Sequence, residues 1–141
     1  MDTTFLKQIA TDFLLIAGSA PFLMQNSFPT RDAADKYLDD YAKRVAASLD
    51  ANDMLYAVNA SRNYDPSSQL EKISAPVMYV NSGDDFINPP ELGIAEREIR
   101  RVKRGRFVLI PASAETRGHG THTWAVFWQQ YLKELLQESE H

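Results

Sequence analysis

The chain has 141 residues, long enough for one domain with a core and too short for a large parallel sheet plus a substrate-covering lid. Fifteen basic residues against nineteen acidic ones leave a net charge of −4, which argues against a nucleic-acid surface. The absence of cysteine excludes disulfides, thiolate catalysis and cysteine-ligated zinc, and His119, His122 and His141 are too few for a multi-histidine site, so neither metal nor cofactor is expected.

In chain order, the apolar run Phe13–Met24 comes first. It falls short of the roughly 20 residues that span a bilayer, and Asp12 at its edge disfavours a signal peptide. A buried helix or lid segment is the expectation, with no membrane partner and a cytoplasmic location. Thr30 is placed to cap a helix over about Arg31–Leu49, on which Ala34, Tyr37, Leu38, Tyr41, Val45 and Leu49 share a face. A second helix over about Asn52–Ser61 is expected to bury Leu55 and Val58. Residues 1–64 therefore read as a helical cap.

The connector Asn63–Ser68 is rich in turn formers, and the pattern changes beyond it. Pro76–Asn81 is an apolar run without alternation, as in a strand covered on both faces. Pro89-Pro90-Glu91 leads into a helix over about Leu92–Val102, with Leu92, Ala95, Ile99 and Val102 on its core side. The basic residues Arg97 to Arg106 read as a solvated rim. Gly105 is expected to end that helix, and Arg106–Pro111 to form a second strand. A last helix over about Thr123–Glu138 carries Val126, Phe127, Gln130, Tyr131 and Leu135 inward. Strand–helix–strand–helix is the tail of a parallel α/β sheet, assigned to residues 65–141.

Loops leaving the carboxyl ends of parallel strands carry functional groups. Asp84 and Asp85 lie on such a loop after the first strand, and His119 lies in Arg117-Gly118-His119-Gly120-Thr121-His122 after the second. A carboxylate that fixes the tautomer of an imidazole, which in turn takes a proton from a nucleophile, needs these residue types on neighbouring strand ends. The order acid-then-histidine suits a Ser–Asp–His triad. No Gly-x-Ser-x-Gly occurs, so the nucleophile is missing from this chain. Ser82 has no elbow glycines and lies on the acid's own strand end.

Leu70-x-x-Ile73-x-Ala75-Pro76-Val77, then Asn81-Ser82-Gly83-Asp84-Asp85 and Pro89-Pro90-Glu91, resembles the C-terminal part of α/β-hydrolase-fold proteins in the homoserine O-acetyltransferase-like group. Arg31-Asp32-Ala33-Ala34-Asp35 is similar to the helical lid that this group inserts before the acid-bearing strand. The resemblance implies a helical lid followed by two parallel strands and two helices. It matches the catalytic acid to Asp85, with Asp84 as fallback, and the base to His119, with His122 as the lesser candidate. Where the group's histidine is usually followed by aspartate, this chain has Gly120, which sets homoserine as acceptor in doubt.

The reading that follows is a partial serine-dependent acyl ester hydrolase or O-acyltransferase. Its partner would be the missing N-terminal half of the fold, and a small acyl ester or acyl-CoA would be the substrate of the intact enzyme. Phe22, Met24, Phe28 and Tyr37 would line or cover the acyl pocket. The alternative is a non-catalytic oligomerising or binding module of the same fold, which covers its open faces by self-association.

Overall fold

Helix signals dominate the first half of the chain, and the computed structural model, which describes residues 3–140, forms helices there. They are α1 (Thr3–Ala17), α2 (Pro21–Ser27), α3 (Arg31–Ser48) and α4 (Ala51–Ser61). Each start has a local cause. Pro21 opens α2 with its φ already helical. The Thr30 hydroxyl accepts the Ala33 N–H at 3.3 Å at the head of α3. The Asp50 carboxylate accepts the N–H groups of Asn52 and Asp53 at 2.8 and 3.2 Å at the head of α4. Along α3, Lys36–Asp40 and Arg31–Asp35 pair one turn apart on the solvent side. α1 packs against α3 and α4, and Phe28 stacks on Tyr37 at a ring separation of 4.1 Å.

The second half holds a two-stranded parallel sheet, β1 (Val77–Ser82) and β2 (Gly105–Ile110), in register from Val77 opposite Gly105 to Ser82 opposite Ile110. Between the strands runs α5 (Ile94–Ile99), which packs against β2, and after them comes α6 (Gln129–Ser139), which packs against β1. The described residues are thus mixed α/β and mostly helical. None of their helices is long and apolar enough to cross a membrane.

The helices expected at residues 92–102 and 123–138 are shorter than their apolar periodicity suggests. A 3-10 turn over Pro90–Leu92 ends at Gly93, whose φ of 62° breaks the path before α5 begins. The 3-10 turn Ala125–Phe127, preceded by another over Gly118–Thr123, occupies the start of the expected last helix. Gly105 opens β2 instead of only closing the helix before it. A Cβ there would stand 2.3 Å from the Ile99 carbonyl oxygen, so a close backbone approach requires glycine.

Burial departs further from expectation. Leu55 and Val58 of α4 are 57% and 61% exposed, and Leu92 and Val126 also face solvent. β1 is half-buried over Val77–Val80 and buried only at Asn81 and Ser82. Among the residues whose burial is described, the buried apolar side chains are Ala17, Ala20 and Val102. The cause lies in the architecture: two strands present two open edges, so a sequence patterned for double cover finds only part of it. The basic run is tied down rather than merely solvated. Arg101 binds Glu71 at 2.7 Å, Glu98 at 2.8 Å and the Ser67 carbonyl at 2.7 Å, which fastens the 3-10 turn Ser67–Lys72 to α5.

Candidate active site

At the carboxyl end of β1 the chain turns sharply, and Asp85 is 5% exposed. Its Oδ1 accepts the N–H groups of Ile87 at 2.8 Å and Asn88 at 3.0 Å, an Asx turn made by the sequence Asp-x-x-Asn ahead of two prolines. The Asn88 side-chain amide reaches Oδ2 at 3.4 Å, and Asn81 holds the Asn88 carbonyl at 2.7 Å. The turn therefore fixes the carboxylate before any distant residue arrives.

His119 arrives from the loop after β2. Its Nδ1 lies 3.1 Å from Oδ2 and 3.2 Å from Oδ1 of Asp85. A carboxylate facing Nδ1 places the ring proton there and leaves Nε2 as the basic nitrogen. No described residue hydrogen-bonds Nε2, and the His119 side chain is 34% exposed. Burial alone would push the Asp85 carboxyl up. The Asn88 N–H, the His119 ring and the Ile87 N–H together outweigh it and hold the group below its ordinary value.

The histidine loop is held by backbone constraint as well. Gly118 has φ 56°, and a Cβ on it would stand 2.5 Å from the Ser19 carbonyl oxygen. The α1–α2 joint, with Ala17 and Ala20 buried beside it in sequence, thus closes directly onto the residue before His119. Arg117 lies over the Trp124 ring at 3.3 Å, and its N–H donates to the Thr121 hydroxyl at 2.9 Å.

The other candidates fall into different roles. Asp84 does not face His119; it accepts hydrogen bonds from Ser82, Thr116 and the Gly118 N–H. His122 has its Nδ1 on the His119 carbonyl oxygen, with the two rings 4.8 Å apart, and does not meet Asp85. Ser82 is 4% exposed and spends its hydroxyl proton on Asp84. No serine hydroxyl among the described residues is hydrogen-bonded to His119. His141 lies outside the described residues. Asn81, Asn88 and Thr116 escaped the sequence reading, although the Asp-x-x-Asn spacing was a usable signal for Asn88.

Asp85, His119 and His122 border a cleft of about 430 Å³ between β1 and α6, whose apolar wall includes Met78, Val80, Trp128, Leu132 and Leu135. Phe22, Met24, Phe28 and Tyr37, expected around an acyl pocket, do not line it. Phe22 is exposed, and the Phe28–Tyr37 stack packs α2 to α3 instead. Among the described residues no group of three or more histidine, aspartate or glutamate side chains is arranged to hold a metal ion. No family model, curated protein or solved structure matches this chain.

Proposed function

We propose that the chain carries the acid and base of a serine-dependent acyl hydrolase or acyltransferase of α/β-hydrolase type, with the nucleophile supplied by polypeptide outside these 141 residues. The observation that carries this reading is the pairing of Asp85 with His119 Nδ1 at 3.1 Å, with Nε2 left without a described partner beside an apolar cleft. In the completed site His119 Nε2 takes the proton of a serine hydroxyl as it attacks an acyl carbonyl. The same proton then passes to the leaving group, and water or an alcohol resolves the acyl-enzyme. Asp85 orients the imidazole and stabilises its protonated form. The apolar wall of the cleft suits an acyl ester rather than a charged substrate.

The open edge of β1 supports this reading. The Val77 and Gly83 N–H groups bond to β2 at the Arg104 and Ile110 carbonyls. The two-residue period of the ladder then turns the N–H groups of Met78 and Val80 toward the other edge. That edge, with clefts on both faces of β1, has the N–H pattern a further parallel strand would need. The test is organophosphonate labelling of the chain alone and of the native complex isolated through it. The chain alone should stay unlabelled, and the complex should label on a serine outside this sequence, with His119→Ala abolishing the reaction. Labelling at Ser82 or any serine here would refute the assignment.

One observation favours a second reading, a binding module without catalysis: large apolar side chains such as Phe13, Ile16, Leu55 and Val58 are exposed on the helices. A stable homo-oligomer in native extracts, with no second polypeptide and no labelling, would select it.

A further inference from the structure

The polar groups at the carboxyl ends of the two strands form a second buried cluster that the acid–base pair does not use. Ser82, Asp84, Thr116 and Thr121 are all under a tenth exposed, whereas few apolar side chains are buried among the residues whose burial is described. Their bonds converge on Asp84. Its Oδ1 accepts the Ser82 hydroxyl, and its Oδ2 accepts the Thr116 hydroxyl at 2.9 Å and the Gly118 N–H at 3.1 Å. The Thr121 hydroxyl, which receives the Arg117 N–H, lies 3.4 Å from Ser82 and completes the ring of contacts.

Two of the three donors to Asp84 come from residues 116 and 118, immediately before His119, while Asp84 itself precedes Asp85. The carboxylate therefore bridges the two loops whose tips carry the acid and the base. Without this side chain the Gly118 N–H loses its buried acceptor, while the Thr116 hydroxyl keeps only the Ser113 carbonyl at 3.0 Å. The covalent path from Asp85 to His119 is 34 residues long around α5 and β2, so nothing local holds the two tips together.

We infer that Asp84 is the positioning residue that sets the Asp85–His119 geometry by clamping the Thr116–Gly118 segment to the end of β1. It touches neither the reacting atoms nor the imidazole. The inference rests on the acid–base reading of Asp85 and His119 and assigns the neighbouring aspartate a separate role. It makes the consecutive aspartates a divided pair, one holding the ring and the other holding the loop that bears it.

The test reads the tautomer of His119 in the 15N-labelled full chain by long-range 1H–15N spectra, with the ring signals assigned by their loss in His119→Ala. The wild-type ring should be dominated by the Nδ1–H form. Asp84→Ala should lose that dominance and give the mixture of a free histidine. Asp84→Asn should keep it, because the amide oxygen still accepts from Thr116 and Gly118 while the amide N–H donates to a rotated Ser82 hydroxyl. Thr116→Val removes one donor to Asp84, and with it the hydroxyl's bonds to Ser113, without removing the carboxylate; it should lose the dominance in part, so it carries the test if Asp84→Ala does not fold. A wild-type ring spectrum in folded Asp84→Ala, or in Thr116→Val, overturns the inference. Asp85→Asn separates the two levels: if it too leaves the ring unchanged, the acid–base pairing itself fails.

Discussion

Gly118 shows how much of the site hangs on one backbone angle. Its positive φ disfavours any side chain, and the Ser19 carbonyl fills the space a Cβ would need. Gly118→Ala should destabilise the chain by about 1–3 kcal/mol from the backbone alone, with the steric contact adding to it. Chemical denaturation reads this directly, and a stability within error of wild type would contradict the geometry. Asp85 makes a separate prediction through pH. Its folded carboxyl lies below the ordinary value of 3.8, so its stabilising contribution is full above that pH and is lost as pH falls through the folded value. Thermal melts of wild type and Asp85→Asn should differ near neutrality and converge as pH drops below 3.8. A gap that stays constant to low pH would mean that the carboxylate's charge is not what the Asn88, His119 and Ile87 donors recognise.

At the scale of the element, local chemistry and tertiary packing separate cleanly. α3 begins at the expected residue because Thr30 satisfies one of the N–H groups that a helix start leaves open. Thr30→Ala should cost about 1 kcal/mol, read in the melting of the chain, while Thr30→Ser should cost little. The strands were equally legible, since short apolar runs between proline and glycine punctuation have few alternatives. The helices around the site were not. An apolar stripe from Leu92 to Val102 suggests one continuous helix, yet Gly93 adopts a left-handed conformation and splits it. The same stripe logic assigned Leu55 and Val58 to a core that these residues do not enter. Periodicity reports which face is apolar, and only the neighbours decide whether that face is covered.

For the whole molecule, exposed area is the telling quantity. A monomeric globular protein of 16.0 kDa exposes about 7,400 Å², whereas this chain exposes 10199 Å². The excess, about 2,800 Å² on one chain, is larger than the roughly 800 Å² that each partner contributes to a standard interface. The free edge of β1 is the part of that surface with a built-in geometry for a partner. Val80→Pro removes an N–H that the ladder directs away from β2 and should spare the existing strand pair. It should weaken recovery of the native complex by affinity capture while leaving the circular dichroism of the chain unchanged. Undiminished recovery would move the interface away from this edge, toward the exposed faces of α1 and α4.

The strands, most helix starts and the two loops that bear Asp85 and His119 follow from the amino-acid sequence, whereas the helices around the site do not. Caps, proline starts and short apolar strands are decided within a few residues, and an Asx turn holds Asp85 through its own neighbours Ile87 and Asn88. The resemblance ranks Asp85 ahead of Asp84, but the contacts that tell the two apart come only from the fold. The two side chains are adjacent and chemically identical, and what distinguishes them is which donors of a loop 34 residues away come to meet each one. His119, ranked ahead of His122 by the same resemblance, is likewise set apart by its contacts. Three residues apart in a glycine-flanked loop, they differ because the turn after Gly118 carries one ring to the carboxylate and leaves the other on a backbone carbonyl. Contacts between distant segments depend on the path of the whole chain, which no local propensity encodes.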